Sequence, residues 1–120
     1  MSKHNELGVK GEVFALEFLE KKGYDILEIN WRFGKTEIDI IARDVKTIVI
    51  VEVKSRSSAY FGLPEDAVHP SKQKNLATAA EEYLERNNLE MDVRFDVISI
   101  TFENAEVKIF HIRDAFFPYE

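Results

Sequence analysis

Residues Thr36–Lys54 read Thr-Glu-Ile-Asp-Ile-Ile-Ala-Arg-Asp-Val-Lys-Thr-Ile-Val-Ile-Val-Glu-Val-Lys, and this stretch decides the fold. Two β-branched runs flank a short polar break, the pattern of two strands joined by a turn at Asp44-Val45. Three acids (Glu37, Asp39, Glu52) and one lysine (Lys54) sit inside segments that otherwise read as buried. Such residues are rarely buried unless paired or bound to a metal. A loop of two or four residues sets Asp39 opposite Ile50 and Glu37 opposite Glu52. Glu37, Asp39, Glu52 and Lys54 then share one face of the sheet, and Ile38, Ile40, Ala42, Val49, Val51 and Val53 share the other. A one-residue slip would move every side chain across the sheet, so the register is strongly specified.

Outward from this hairpin, the chain reads as one α/β domain over residues 1–120 in the order α-β-β-β-α-β-β, a mixed sheet flanked by helices. A helix is expected from about residue 5 to 22, capped by Asn5 and ended by Gly23. Gly8 and Gly11 within it are costly unless another element packs closely there. Glu12 lies on this small-residue side, where it can approach a neighbour; the plainer reading is a solvated helix glutamate. Tyr24 to Arg32 alternates as a first strand, with Leu27, Ile29 and Trp31 on the apolar face. Trp31 reads as core. Arg32 reads first as the partner of an acid, and otherwise as a nucleic-acid contact.

Residues 55–69 are expected to form a loop bordering whatever site Lys54 faces. Pro70 opens a second helix to about Asn87, capped by His69 or Ser71. Lys72 and Lys74 stand in its first turn, where positive charge opposes the helix dipole; a phosphate contact would explain the placement. Arg94–Thr101 and Val107–Ile112 read as two further strands joined at Glu103-Asn104, and Asp114–Phe117 as the start of a short helix. Asp96 is expected first to pair with an arginine, with a direct catalytic role as the alternative, and His111 to be a structural histidine.

The chain carries a net charge of −6, which argues against nonspecific coating of nucleic acid. Residues 31–56 are nonetheless net +2, while residues 81–92 are net −4. There is no cysteine, so disulfides and thiolate metal sites are excluded. No apolar run is long enough to span a membrane, and the N-terminus shows no apolar signal region. A cytoplasmic protein without a membrane partner is expected.

Asp39 and Glu52 on adjacent strands suit one hard cation, Mg²⁺ or Mn²⁺, because magnesium takes a few carboxylate oxygens and keeps waters. Lys54, two residues after Glu52, projects from the same face and would hold a water or stabilise charge on a phosphate. The Val53 carbonyl between them is a candidate further ligand, and Glu12 a further carboxylate. This donor set fits phosphodiester hydrolysis. The alternative is a structural ion-pair cluster in which Lys54 neutralises Glu52.

Asp39 followed by Glu52-Val53-Lys54 resembles the PD-(D/E)xK nuclease motif, with Ile38 in place of the proline. Gly8-x-x-Gly11-Glu12-x-x-Ala15, Gly23-Tyr24, Asn30-Trp31-Arg32, Glu37 to Ile41, Val51 to Lys54 with Arg56, Ser71-Lys72-Gln73 and Arg94 to Val97 together resemble, in order, the bacterial YraN-like family. That family is largely uncharacterised and is similar to restriction-endonuclease-like proteins, close to Holliday-junction resolvases. The resemblance implies a magnesium-dependent endonuclease acting on DNA, on branched or flapped DNA in particular. It makes Asp39 and Glu52 metal ligands, Lys54 the catalytic lysine and Glu12 the helix-borne acid. Arg32, Arg56 and Lys72 become candidate nucleic-acid contacts. A homodimer with two sites is a further expectation, as is the alternative of a non-catalytic nucleic-acid-binding adaptor on the same fold.

Overall fold

The computed structural model describes residues 6–57 and 68–119. Its elements are α1 (Glu6–Lys21), β1 (Asp25–Phe33), β2 (Thr36–Asp44), β3 (Thr47–Arg56), α2 (Pro70–Arg86), β4 (Asp92–Glu103) and β5 (Glu106–Ile112). This is the expected order, and the five strands lie side by side as β1-β2-β3-β4-β5. All neighbours are antiparallel except β3 and β4, which run parallel and are linked through α2. A parallel pair needs such a crossover, whereas antiparallel pairs close with short turns. No helix among the described residues is long and apolar enough to cross a membrane.

Each face of the sheet carries its own apolar core. On one side Ala15 and Leu19 of α1 pack with Ile40, Ala42, Val49, Val51, Val53, Ile98 and Ile100. On the other, Leu76, Ala79, Ala80 and Tyr83 of α2 pack with Ile38, Ile41, Ile48, Ile50, Phe95 and Val97. Strands covered on both faces read as nearly continuous apolar runs, which is why β2 and β3 look so uniformly hydrophobic.

The helix ends follow their caps. Gly23, at φ 89°, takes the left-handed C′ position, and Tyr24 N–H donates to the Leu19 carbonyl at 3.0 Å. His69 caps α2, its ring accepting from the Ser71 N–H, with Pro70 following. Asn5, the expected cap of α1, lies outside the described residues. So does most of the expected loop, because β3 continues to Arg56 and the described chain stops at Ser57 before resuming at Val68. Gly11 explains itself. A Cβ there would stand 1.7 Å from the Ser55 hydroxyl and 2.9 Å from its Cβ, so α1 can approach β3 only with glycine at this position.

Four expectations are corrected. The β2–β3 turn is Val45-Lys46, with Asp44 paired to Thr47, so the ladder is shifted by two residues from the register expected. Parity survives this shift, but Asp39 no longer falls opposite Ile50. Secondly, strict alternation fails in β2, where Ile38 and Ile41 pack on the α2 side and Ile40 on the α1 side. Thirdly, β1 is irregular. Its register shifts between Ile26 and Glu28, and Asn30 sits at φ 52°, a region asparagine tolerates better than most residues. Ile29 is therefore largely exposed, while Leu27 and Trp31 pack toward α2. Fourthly, Asp114–Phe117 forms no helix. Asp114 lies at φ 54°, the Ala115 N–H donates to the Phe95 carbonyl at 2.7 Å, and Phe116 stacks on Phe95.

Candidate active site

The β2–β3 ladder ends at the pair Ile40–Val51, and one step further along each strand stand Asp39 and Glu52. Both are 1% exposed. At this point side chains take over from the ladder: Asp39 Oδ2 accepts the Val53 N–H at 2.8 Å, a buried hydrogen bond to a carboxylate. Such bonds are about twice as strong as neutral ones, so Asp39 is oriented firmly against β3.

Glu52 receives a different partner. Lys72, in the first turn of α2, places its ammonium 2.6 Å from Glu52 Oε2. The Lys72 side chain is 36% exposed, so the pair spans the boundary between core and solvent. The lysine that opposes the helix dipole thus meets a carboxylate, not the phosphate that its position suggested. This contact also fixes the face: Glu52 points to the α2 side of the sheet. Ser55, against Gly11, points to the α1 side. By the pleat, Lys54 and Arg56 share the face of Glu52. Both are partly exposed.

Arg32 Nη2 lies 3.4 Å from Glu37 Oε2, the arginine half-exposed and the acid buried, which is the acid pairing expected of it. Glu12 follows Gly11 on α1 and is partly exposed, on the helix that covers the opposite face from α2. Among the described residues no three acids, histidines or cysteines gather into a metal-binding group. Among the described residues the candidate ion site rests on two carboxylates, Asp39 and Glu52. That donor set fits magnesium or manganese, which are content with one or two carboxylates and several waters, and does not fit a closed structural zinc site. Each carboxylate has about four lone-pair positions, so a contact such as that of Asp39 to the Val53 N–H or of Glu52 to Lys72 is compatible with coordination.

A further buried acid lies one strand over. Asp96, paired in the ladder with Val51, faces the α1 side. It accepts from Arg94 Nε and Nη2, both at 2.9 Å, from the Asp114 N–H at 3.0 Å and from His111 Nε2 at 2.8 Å. Lys22 Nζ lies 3.1 Å from His111 Nδ1 and can only donate, so the ring hydrogen sits on Nε2. Arg94 also donates to the Tyr24 hydroxyl at 2.7 Å and pairs with Asp44 at 3.3 Å. Burial works to raise the Asp96 carboxyl, but the His111, Arg94 and Asp114 hydrogen bonds outweigh it and hold the carboxyl below the ordinary aspartate value. The bonds to Asp96 push Arg94 up in turn. Asp96 is thus the arginine-paired structural acid that the strand pattern suggested, and His111 is satisfied on both nitrogens.

Sequence reasoning named Lys72 but missed its carboxylate partner; the signal was a lysine in a first helical turn. It missed the Val53–Asp39 bond altogether, since no side-chain pattern marks a backbone donor.

A model of the uncharacterised protein family UPF0102 matches residues 11–100. A UPF0102 protein of Flavobacterium psychrophilum is 51% identical over 99% of this chain and all of its own length. One of Christiangramia forsetii is 49% identical over the same share of both chains. One of Geobacter metallireducens is 50% identical over 97% of each. The fold, the site and these likenesses run through the same residues, and the chain belongs to the UPF0102 family.

Proposed function

We propose that this protein is a Mg²⁺- or Mn²⁺-dependent endonuclease that hydrolyses phosphodiester bonds in DNA, with branched or flapped DNA as its preferred substrate. The observation that carries the reading is the placement of two acids, each 1% exposed, at the end of one ladder on adjacent strands, with Lys54 on the face of Glu52. A structural role alone gives little return for two buried carboxylates, because buried ion pairs are poor sources of stability.

In this reading Asp39 and Glu52 hold the ion, which polarises the phosphate and makes bound water acidic. Val53 N–H keeps the Asp39 carboxylate turned toward β3. Lys72 keeps Glu52 in place and tempers its charge. Lys54 orients the attacking water or stabilises negative charge on the phosphate oxygens. Glu12 is a further acid, carried by α1, and Arg32 and Arg56 meet the DNA backbone. Two sites in a homodimer would suit a branched substrate; light scattering at assay concentration tests this.

The deciding experiment presents single-stranded, duplex, flapped and four-way DNA, and RNA, with each metal. Asp39→Ala, Glu52→Ala and Lys54→Ala should each lower cleavage by at least about a hundredfold, the usual scale for losing one element of such electrostatic stabilisation. Survival of cleavage in all three sinks the site assignment. The 2.6 Å Lys72–Glu52 pair gives weight to a second reading, a DNA-binding adaptor that does not cut. It predicts salt-sensitive binding that persists in Asp39→Ala, with no cleavage under any metal.

A further inference from the structure

The α2-side face continues beyond the two carboxylates toward β5, and its rows can be read from the register. Glu52 is level with Val97 and Ile112. The next row is Lys54, Ser99 and Phe110. The one after is Arg56, Thr101 and Lys108. Val97 and Ile112 pack with α2 residues, while Ile98, Ile100 and Ile109 pack with α1 residues, which fixes the face on which the alternate positions stand. Phe110 is 61% exposed and Lys108 is exposed, whereas Ser99 and Thr101 between the strands are buried. At a sheet spacing of about 4.8 Å, Phe110 stands two strands, roughly 10 Å, from Lys54. The face therefore presents three cations, Lys54, Arg56 and Lys108, and one bare aromatic ring, running outward from the site. The row beyond ends it with Glu103 opposite Glu106, where phosphate would be repelled.

Resting on the nuclease reading above, we propose that this face carries an unpaired strand of the DNA substrate, with Phe110 stacking on a base and Lys108 and Arg56 meeting phosphates. Cations tracking a backbone beside an exposed ring are the chemistry that distinguishes single strands from duplex, whose bases already stack on one another. An exposed phenylalanine on an edge strand otherwise invites aggregation, and cationic neighbours such as Lys108 are how edges are kept soluble. That protective role alone predicts no effect on DNA binding.

The test is fluorescence anisotropy in EDTA with labelled flapped, single-stranded and blunt duplex DNA, on wild type, Phe110→Ala, Phe110→Tyr and Lys108→Ala. Phe110→Ala should weaken flapped and single-stranded binding by about 5- to 150-fold, the contribution of one stacked base. Blunt duplex should change less than about twofold, and Phe110→Tyr should restore the flap preference. Lys108→Ala should weaken binding of the flapped and single-stranded DNA and lower their salt slope by about one. Unchanged flap binding in Phe110→Ala, or an equal loss on duplex, overturns the assignment while leaving the nuclease reading standing. If wild type binds none of the three, this assignment falls, and the nuclease reading stands or falls on the cleavage assay with metal. Thermal melts of each variant establish that the exposed substitutions leave the fold in place.

Discussion

Glu52 and Asp96 occupy neighbouring strands, are equally buried, and point to opposite faces of the same sheet. Asp96 is gripped from within. Arg94 reaches it from two residues away on the same strand, with a planar fork that binds both oxygens, and His111 and the Asp114 amide complete the shell. Glu52 is met by a lysine on a separate helix, a flexible point charge with part of its length in water. Burial of an acid is common to both. What differs is the partner, rigid and internal at Asp96, movable and open to the solvent side at Glu52.

The strongest way to break this comparison is to remove each acid in turn. Asp96→Ala leaves the largely buried Arg94 short of its main partner and should cost about 3–5 kcal/mol in chemical denaturation. If Glu52 serves the proposed site, Glu52→Gln should be neutral or stabilising. Equal losses would make Glu52 a structural acid and remove the basis of the proposed site.

The pH dependence sharpens the same contrast. Asp96 has a folded-state carboxyl held below its unfolded value near 3.9, so its contribution is present above about pH 4 and is lost as pH falls through the folded value. Acid unfolding of Asp96→Ala should lack this component. An unchanged acid profile would show that the Arg94 and His111 bonds do not govern the carboxyl.

A smaller effect is expected on the closed face. Gly11→Ala drives a methyl group into Ser55 and should cost about 1–3 kcal/mol, the usual range for overpacking. Ser55→Gly in the same chain should recover most of it; no recovery would place the constraint elsewhere. The last change is at Lys72. Lys72→Ala leaves the buried Glu52 carboxylate without its lysine and should destabilise the metal-free protein in chemical denaturation, with added Mg²⁺ recovering part of the loss. Titration calorimetry should then show Mg²⁺ binding tightened by about fivefold, since one opposing charge has gone. Weakened binding would mean that Lys72 holds Glu52 in its coordinating position and does not merely offset it.

Much of this was legible in the sequence because period and parity are robust. The uniformly apolar runs around Asp39 and Glu52 could only be central strands, and the His69-Pro70 start and Gly23 stop were written in cap chemistry. The Asp96 pairing followed from an acid inside a strand, and the structure supplies Arg94 as the arginine. What escaped depends on backbone geometry. The two-residue register shift turns on which pair forms the β2–β3 turn, and Asp44-Val45 is as good a turn by composition as Val45-Lys46. Asn30 at positive φ disturbs β1 without altering its alternating letters. The partnership of Lys72 with Glu52 joins a helix to a strand across 20 positions of chain, which no local pattern encodes.

The turn that sets the register has one more consequence. Val45 holds φ 57° and is 83% exposed, in the place that Gly34, at φ 61°, fills in the β1–β2 hairpin. Glycine takes that conformation freely, whereas a β-branched residue pays roughly 1–2 kcal/mol for it. The protein therefore holds an untapped reserve of stability at the far end of the hairpin from Asp39 and Glu52. Val45→Asn should raise the denaturation midpoint by the equivalent of about 1 kcal/mol. In that background, variants that empty the Asp96 shell could be kept folded long enough to be assayed.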